Sequence, residues 1–267
     1  MRPLWKGAIS FGLVNIPVRL YTATEKKDLK FRYLHAECGT PVEYQKRCPT
    51  CNREVSQDEI VYGYEYERGR FVTLKEEDFD SIPVETTRAI SIVDFVNLAE
   101  IDPIYFNKTY FLEPSEGGGK PYALLRRAME STNRIAIAKV VIRSKESLAA
   151  IRVYQGKGLI METMFWPDEV RSINALSGVD QEPKLHENEI KMAVDLIGNL
   201  ADRFEPEKYT NEYRQALLEM IENKIQGEQV TVAPMPEIGK VVDLMEALRA
   251  SIKMTEEAKK KSQGADD

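Results

Sequence analysis

The chain is poor in the residues that most catalytic sites are built from. It has two histidines, His35 and His186, and three cysteines, Cys38, Cys48 and Cys51. Ser-His-Asp catalysis needs a free imidazole, and one of the two stands among the cysteines while the other sits in an acidic stretch. No phosphate-cradling, dinucleotide or nucleophile-elbow pattern occurs. The glycines of residues 115–120 have no Gly-Lys-Ser/Thr after them and have Glu113 and Glu116 beside them, so a flexible turn is expected there. No apolar run reaches the length of a bilayer span, and the residues behind Met1 carry no apolar leader, so a cytoplasmic location is expected. Three clustered cysteines argue for a reducing compartment rather than a disulfide framework. These absences favour a binding protein over an enzyme.

Positive charge is also short overall, with a net charge of −6. It is, however, sorted along the chain. Residues 1–56 carry ten Lys/Arg against five Asp/Glu, and residues 168–267 carry thirteen against twenty-one. A basic first part and an acidic last part imply surfaces with different partners.

The cysteines lie in His35-Ala-Glu-Cys38 and Cys48-Pro-Thr-Cys51. Two such pairs joined by a short return loop suit a tetrahedral structural zinc ion with no position left for water. Gly39 and Pro49 fit the tight turns this needs. Two thiols beside an unrelated histidine, or a redox Cys-X-X-Cys, are the other readings. The redox one lacks the strand and helix setting that lowers a thiol pKa.

Period-two alternation predicts strands around a turn over residues 5–21, with Gly7 and Gly12 at close approaches or bulges and Pro17 at an edge or a strand start. Further strands are expected over 26–34, 59–66, 71–74, 89–96, 109–112, 134–142, 148–154 and 159–165, with a hairpin turn at 67–70. A short helix over 75–81 and one helix over 121–131 complete an antiparallel β-barrel or sandwich spanning 1–167. Beyond Trp166-Pro167 the pattern turns helical. Apolar stripes predict helices over 188–203 and 209–225, within a helical arm of residues 168–226. Residues 227–267 are expected to hold a linker, an amphipathic helix over 241–254 with Val242, Met245, Leu248 and Ile252 on one stripe, and a disordered tail. A tethered amphipathic helix suits partner docking.

Several segments together carry a family resemblance. Trp5-Lys-Gly-Ala-Ile-Ser-Phe-Gly-Leu-Val-Asn-Ile-Pro-Val, Glu100-Ile-Asp-Pro-Ile-Tyr-Phe, Lys108-Thr-Tyr-Phe-Leu-Glu-Pro, Trp166-Pro-Asp-Glu-Val-Arg and Phe204-Glu-Pro-Glu-Lys-Tyr resemble bacterial Ku proteins, in order and over nearly the whole chain. The resemblance implies a homodimeric ring that threads onto double-stranded DNA ends, without enzymatic activity. It further implies bridging of breaks in non-homologous end joining and recruitment of an ATP-dependent ligase, ligase D. The Val242, Met245, Leu248 and Ile252 stripe is then the candidate ligase contact. In that family the zinc-type cluster is variable, and here all four positions, His35, Cys38, Cys48 and Cys51, are filled. The candidate DNA-facing cations are Arg19, Lys30, Arg32, Lys46, Arg47, Arg134, Arg143 and Lys145, which would meet phosphates without reading sequence. The chain departs from longer relatives in carrying only Lys259-Lys260-Lys261 in place of a lysine-rich tail. The alternative function is a zinc-stabilised scaffold for proteins with no nucleic-acid role.

Overall fold

The structure is a computed structural model that describes residues 1–75, 77–78, 88–142, 145–179, 183–227 and 244–263, with side chains to Thr255 in the last stretch. It divides into two compact units, Met1–Ser172 and Ile173–Asp267.

The first unit is built on seven strands that close into a barrel. β1 (Trp5–Phe11) and β2 (Val14–Thr22) form a hairpin, with Gly12 at φ +57° in its turn. Two short ribbons follow, β3 (Arg47–Cys48) with β4 (Arg53–Glu54) and β5 (Tyr62–Glu67) with β6 (Arg70–Leu74). The chain returns to the barrel as β7 (Ala89–Val96), β8 (Phe106–Pro114), β9 (Ile135–Ile142), β10 (Lys145–Tyr154) and β11 (Gly158–Met164). The barrel order is β1-β2-β8-β11-β10-β9-β7. Six of its seven pairings are antiparallel and the seventh, β1 with β7, is parallel, with Ala8 opposite Ala89. An odd number of strands cannot alternate all the way round a closed ring, so one parallel seam is required. The expected all-antiparallel sheet is corrected at that seam.

Alternation along each strand sends Ile9, Ile16, Val18, Leu20, Ile90, Leu112, Val140, Ile151 and Met161 into one buried core. Gly7 lies where the seam is tightest: a Cβ there would fall 2.0 Å from the Arg88 carbonyl and 2.1 Å from the Trp5 ring. Pro17 is inside β2, not at its start, but β2 begins pairing with β8 only at Val18, so the missing N–H leaves no ladder bond unmade.

Helix α1 (Gly119–Thr132) lays Tyr122, Leu125 and Met129 into the barrel core. The buried Tyr122 hydroxyl accepts from the Leu159 N–H at 2.7 Å and donates to the Leu112 carbonyl at 2.7 Å, tying the helix to β8 and β11. The glycine loop before α1 is a specific turn. Gly117 has φ +77°, and a Cβ at Gly118 would meet the Pro17 carbonyl at 2.5 Å. Outside the barrel, Arg152 donates to both oxygens of Glu162 at 2.8 and 3.0 Å, a fork that clips β10 to β11.

The second unit holds α2 (Glu187–Leu200), α3 (Glu212–Ile225) and α4 (Leu244–Gln263). His186 precedes α2, where its N–H donates to Glu189 at 2.8 Å. α4 packs on α2. It runs past the expected end at 254 into residues read as a disordered tail. Glu256, Glu257, Lys260 and Lys261 stand at i,i+4 spacing there, which favours a helix. No helix among the described residues is long and apolar enough to cross a membrane.

Candidate nucleic-acid interface and metal centre

Between β2 and β7 the chain leaves the barrel. Over described residues 24–75 not one residue is buried. The expected strand over 26–34 does not form; the only pairing there is a single bridge, Leu34 with Pro41. Proline has no N–H to continue a ladder, and no neighbouring strand covers the segment. The bridge is extended by two backbone bonds, Val42 N–H to Tyr33 at 3.1 Å and His35 N–H to Thr40 at 2.9 Å. These bonds make 31–44 a loose hairpin whose tip carries His35 and Cys38, the first candidate metal pair.

His35 Nδ1 lies 3.1 Å from Cys38 Sγ, and the Thr40 hydroxyl lies 3.3 Å from the same sulfur. Hydrogen bonding from Thr40, with His35 contributing, holds the Cys38 thiol down at about 7. In the second pair the Cys51 N–H donates to Cys48 Sγ at 3.4 Å. That bond lowers Cys48, and a side-chain hydrogen bond with Cys48, with its charge contributing, raises Cys51. Each pair is therefore shaped as a knuckle that favours one thiolate. Three sulfurs and one imidazole are a donor set that zinc accepts. Among the described residues no three His, Cys, Asp or Glu side chains converge to metal-holding geometry. The structure forms each half of the candidate site by itself.

A clasp follows the second knuckle. Arg53 donates to both Glu59 oxygens at 3.1 and 2.5 Å, and the Ser56 N–H donates to the same carboxylate at 3.0 Å. Arg53, with Ser56, pulls the Glu59 carboxyl from 4.5 to about 2.

Four of the eight candidate cations lie in this excursion. Lys46 donates to Gln57 at 2.5 Å and Arg47 to Asn52, so both are held within it. Lys30 and Arg32 have no ion-pair partner among the described residues. The remaining cations lie apart from them. Arg19 projects from the outer face of β2, 3.4 Å from Glu113, which also accepts from the Tyr21 hydroxyl at 2.7 Å. Lys145 opens β10, 3.8 Å from Glu169, and Arg134 stands exposed before β9, in the field of Glu100. Arg143 lies outside the described residues. The described candidates thus belong to the excursion, to β2, to β10 and to the turn before β9.

Sequence reading missed the exposed aromatics. Phe31 and Tyr33, which alternation puts on one face of the expected strand, are open to solvent, as is Tyr44. With Arg32, Pro41, Val42 and Glu43 they line a hollow of about 500 Å³. In the β5–β6 ribbon, Tyr62, Tyr64 and Tyr66 are exposed as well, and every other position of Tyr-Gly-Tyr-Glu-Tyr is the signal that could have marked them. A second hollow, about 540 Å³ and apolar, lies beside α1 between Phe11, Phe95 and Leu124.

In the second unit no described residue is buried. Ile190, Val194 and Ile197 on α2 and Tyr213 on α3 are exposed. Met245, Leu248 and Ile252 of the candidate ligase contact are half-buried on α4, and Val242 lies outside the described residues.

Residues 10–192 match the family described as Ku: Ku70/Ku80 beta-barrel domain. A protein of Symbiobacterium thermophilum named non-homologous end joining protein Ku is 60% identical over 257 residues, covering 96% of this chain and 64% of that protein. Proteins of the same name from Heliobacterium modesticaldum and Bacillus subtilis are 49% and 48% identical. These cover 98% and 96% of this chain, and 95% and 83% of their own lengths.

Proposed function

Because the chain belongs to the Ku family, we propose that it binds the ends of double-stranded DNA as a homodimeric ring, without sequence preference and without catalysis, in non-homologous end joining. The observation that carries this reading is the excursion over 24–75, which exposes unpaired Lys30 and Arg32 outside a barrel whose own core is complete. Cations that owe nothing to internal ion pairs are available to phosphates, and phosphate contact is indifferent to sequence. The exposed apolar faces of the β5–β6 ribbon and of α2 support the dimer. A lone two-stranded ribbon is marginal in water, and apolar faces of this kind gain most by meeting a second copy.

A structural zinc ion held by His35, Cys38, Cys48 and Cys51 belongs to the same reading. Zinc would join two knuckles that each already favour a thiolate, stiffening the excursion and taking no part in a reaction. Recruitment of ligase D is assigned to α4. Its Met245–Leu248–Ile252 stripe is half-buried in a helix that packs on α2, so the ligase must either displace α2 or engage the exposed Leu244 and Met254.

The test is a gel shift of linear duplex against a covalently closed circle of the same sequence, in graded salt. Binding to the linear form alone is expected. The Lys30→Glu and Arg32→Glu variants should each lower the salt slope by about one. Equal, stable binding to the intact circle would remove threading from the account. The alternative, a protein-binding scaffold, has the apolar hollow beside α1 in its favour. It predicts that charge reversal at Lys30, Arg32 and Lys145 leaves DNA retention unchanged.

A further inference from the structure

The hollow on the 31–44 hairpin has a composition that duplex binding does not use. Phe31, Tyr33 and Tyr44 are 69%, 75% and 85% exposed. Aromatic rings left this open cost apolar hydration and add nothing to the barrel core. Along its flank a duplex presents phosphates and sugars, with its bases stacked and paired, so such rings find little to hold there. Unpaired bases differ: each has two π-faces and a flexible backbone, and proteins hold them by interleaving aromatic rings with cations. Arg32 lines the same hollow as the three rings, and Lys30 precedes it in sequence; neither is neutralised by a carboxylate among the described residues. Glu43 is the one acid in the lining. The hollow, about 500 Å³, has room for more than a single ring.

We infer that this hairpin is a stacking site for the unpaired nucleotides of a single-stranded overhang at a broken end, with Tyr33 and Tyr44 as platforms and Arg32 on the backbone. The inference rests on the DNA-end reading and adds a second nucleic-acid class to it. The backbone bonds that shape the hairpin run through Tyr33 O and Thr40 O, not through the aromatic side chains. Removing a ring therefore leaves the hairpin's own bonds in place.

The experiment compares the full chain on three probes: a blunt duplex, the same duplex with a short oligothymidine extension, and that extension alone. Fluorescence anisotropy gives affinity, and a 2-aminopurine placed in the extension reports stacking by quenching. The wild type is expected to prefer the extended duplex and to quench the probe. Tyr33→Ala and Tyr44→Ala should each lose about tenfold on the extension, with blunt affinity held, and Tyr33→Phe should keep the preference. Absence of quenching, or an equal loss on blunt and extended duplex, would overturn the stacking site while leaving end binding standing. A switch to monomer in Tyr33→Ala, read by sedimentation, would assign the rings to the contact between copies and overturn it likewise. No binding to any duplex would instead sink the end-binding reading itself.

Discussion

The barrel and the 24–75 excursion belong to one unit and follow opposite rules. In the barrel, the strands pair all the way round, the core is closed, and no side-chain polar atom buried among the described residues lacks a partner. In the excursion no residue is buried, the ribbons are short, and what holds it is short backbone ladders and exposed side-chain contacts such as Arg53 with Glu59. A structure that completes itself needs no second molecule. One that leaves tyrosines and cations in water has surface to offer a second molecule. Stability and binding are thus assigned to different stretches of the sequence, and substitutions should separate them.

The sharpest separation is expected in the core. Ile151→Ala removes a fully buried side chain that β9 and β11 both flank, and should cost about 2–5 kcal/mol in denaturant unfolding. If it costs no more than a surface change, the barrel is not the stable half. Tyr122→Phe strips the Leu159 N–H and Leu112 carbonyl of their shared partner, and about 1–3 kcal/mol is expected from leaving such groups buried. Tyr64→Ala, in the ribbon, should move unfolding by less than about 0.5 kcal/mol, while lowering the fraction of dimer or the hold on DNA. A large stability loss there would erase the contrast.

The smallest effect concerns protons. Glu59 is held at about 2, below its ordinary 4.5, chiefly by Arg53. A depressed carboxyl supports the folded clasp above pH 4.5 and loses that support as pH falls from 4.5 through about 2. Carboxyl chemical shifts should show the low titration in the wild type and a return toward 4.5 in Arg53→Ala, with the barrel signals unmoved.

How much was legible follows the same division. The alternation of Val18 and Leu20 with Arg19 and Tyr21 marks β2 from sequence, because one face of it is buried and the other is not. Residues 26–34 alternate equally well, but alternation marks a strand only where a sheet stands on one side. Here Leu29, Phe31 and Tyr33 find none. Cysteine spacing announced two knuckles and could not say whether they meet, since that depends on the path of the chain between Gly39 and Arg47. The seam between β1 and β7 is invisible locally: it comes from the count of strands, not from any residue pattern. α4 outran its expected end because charged residues were read as a tail when their spacing also suits a helix.

The parallel seam has a further consequence. Because β7 lies against β1 on the side away from β2, with Ala89 level with Ala8 and Leu20 level with Trp5, the excursion leaves and re-enters at the same rim, its two feet straddling one strand. Everything between them could be shortened, lengthened or exchanged for another tool without a single rung of the cylinder changing its neighbour. The cylinder is thus a fixed mount, and the rim beside β1 is the place where its attachments can differ.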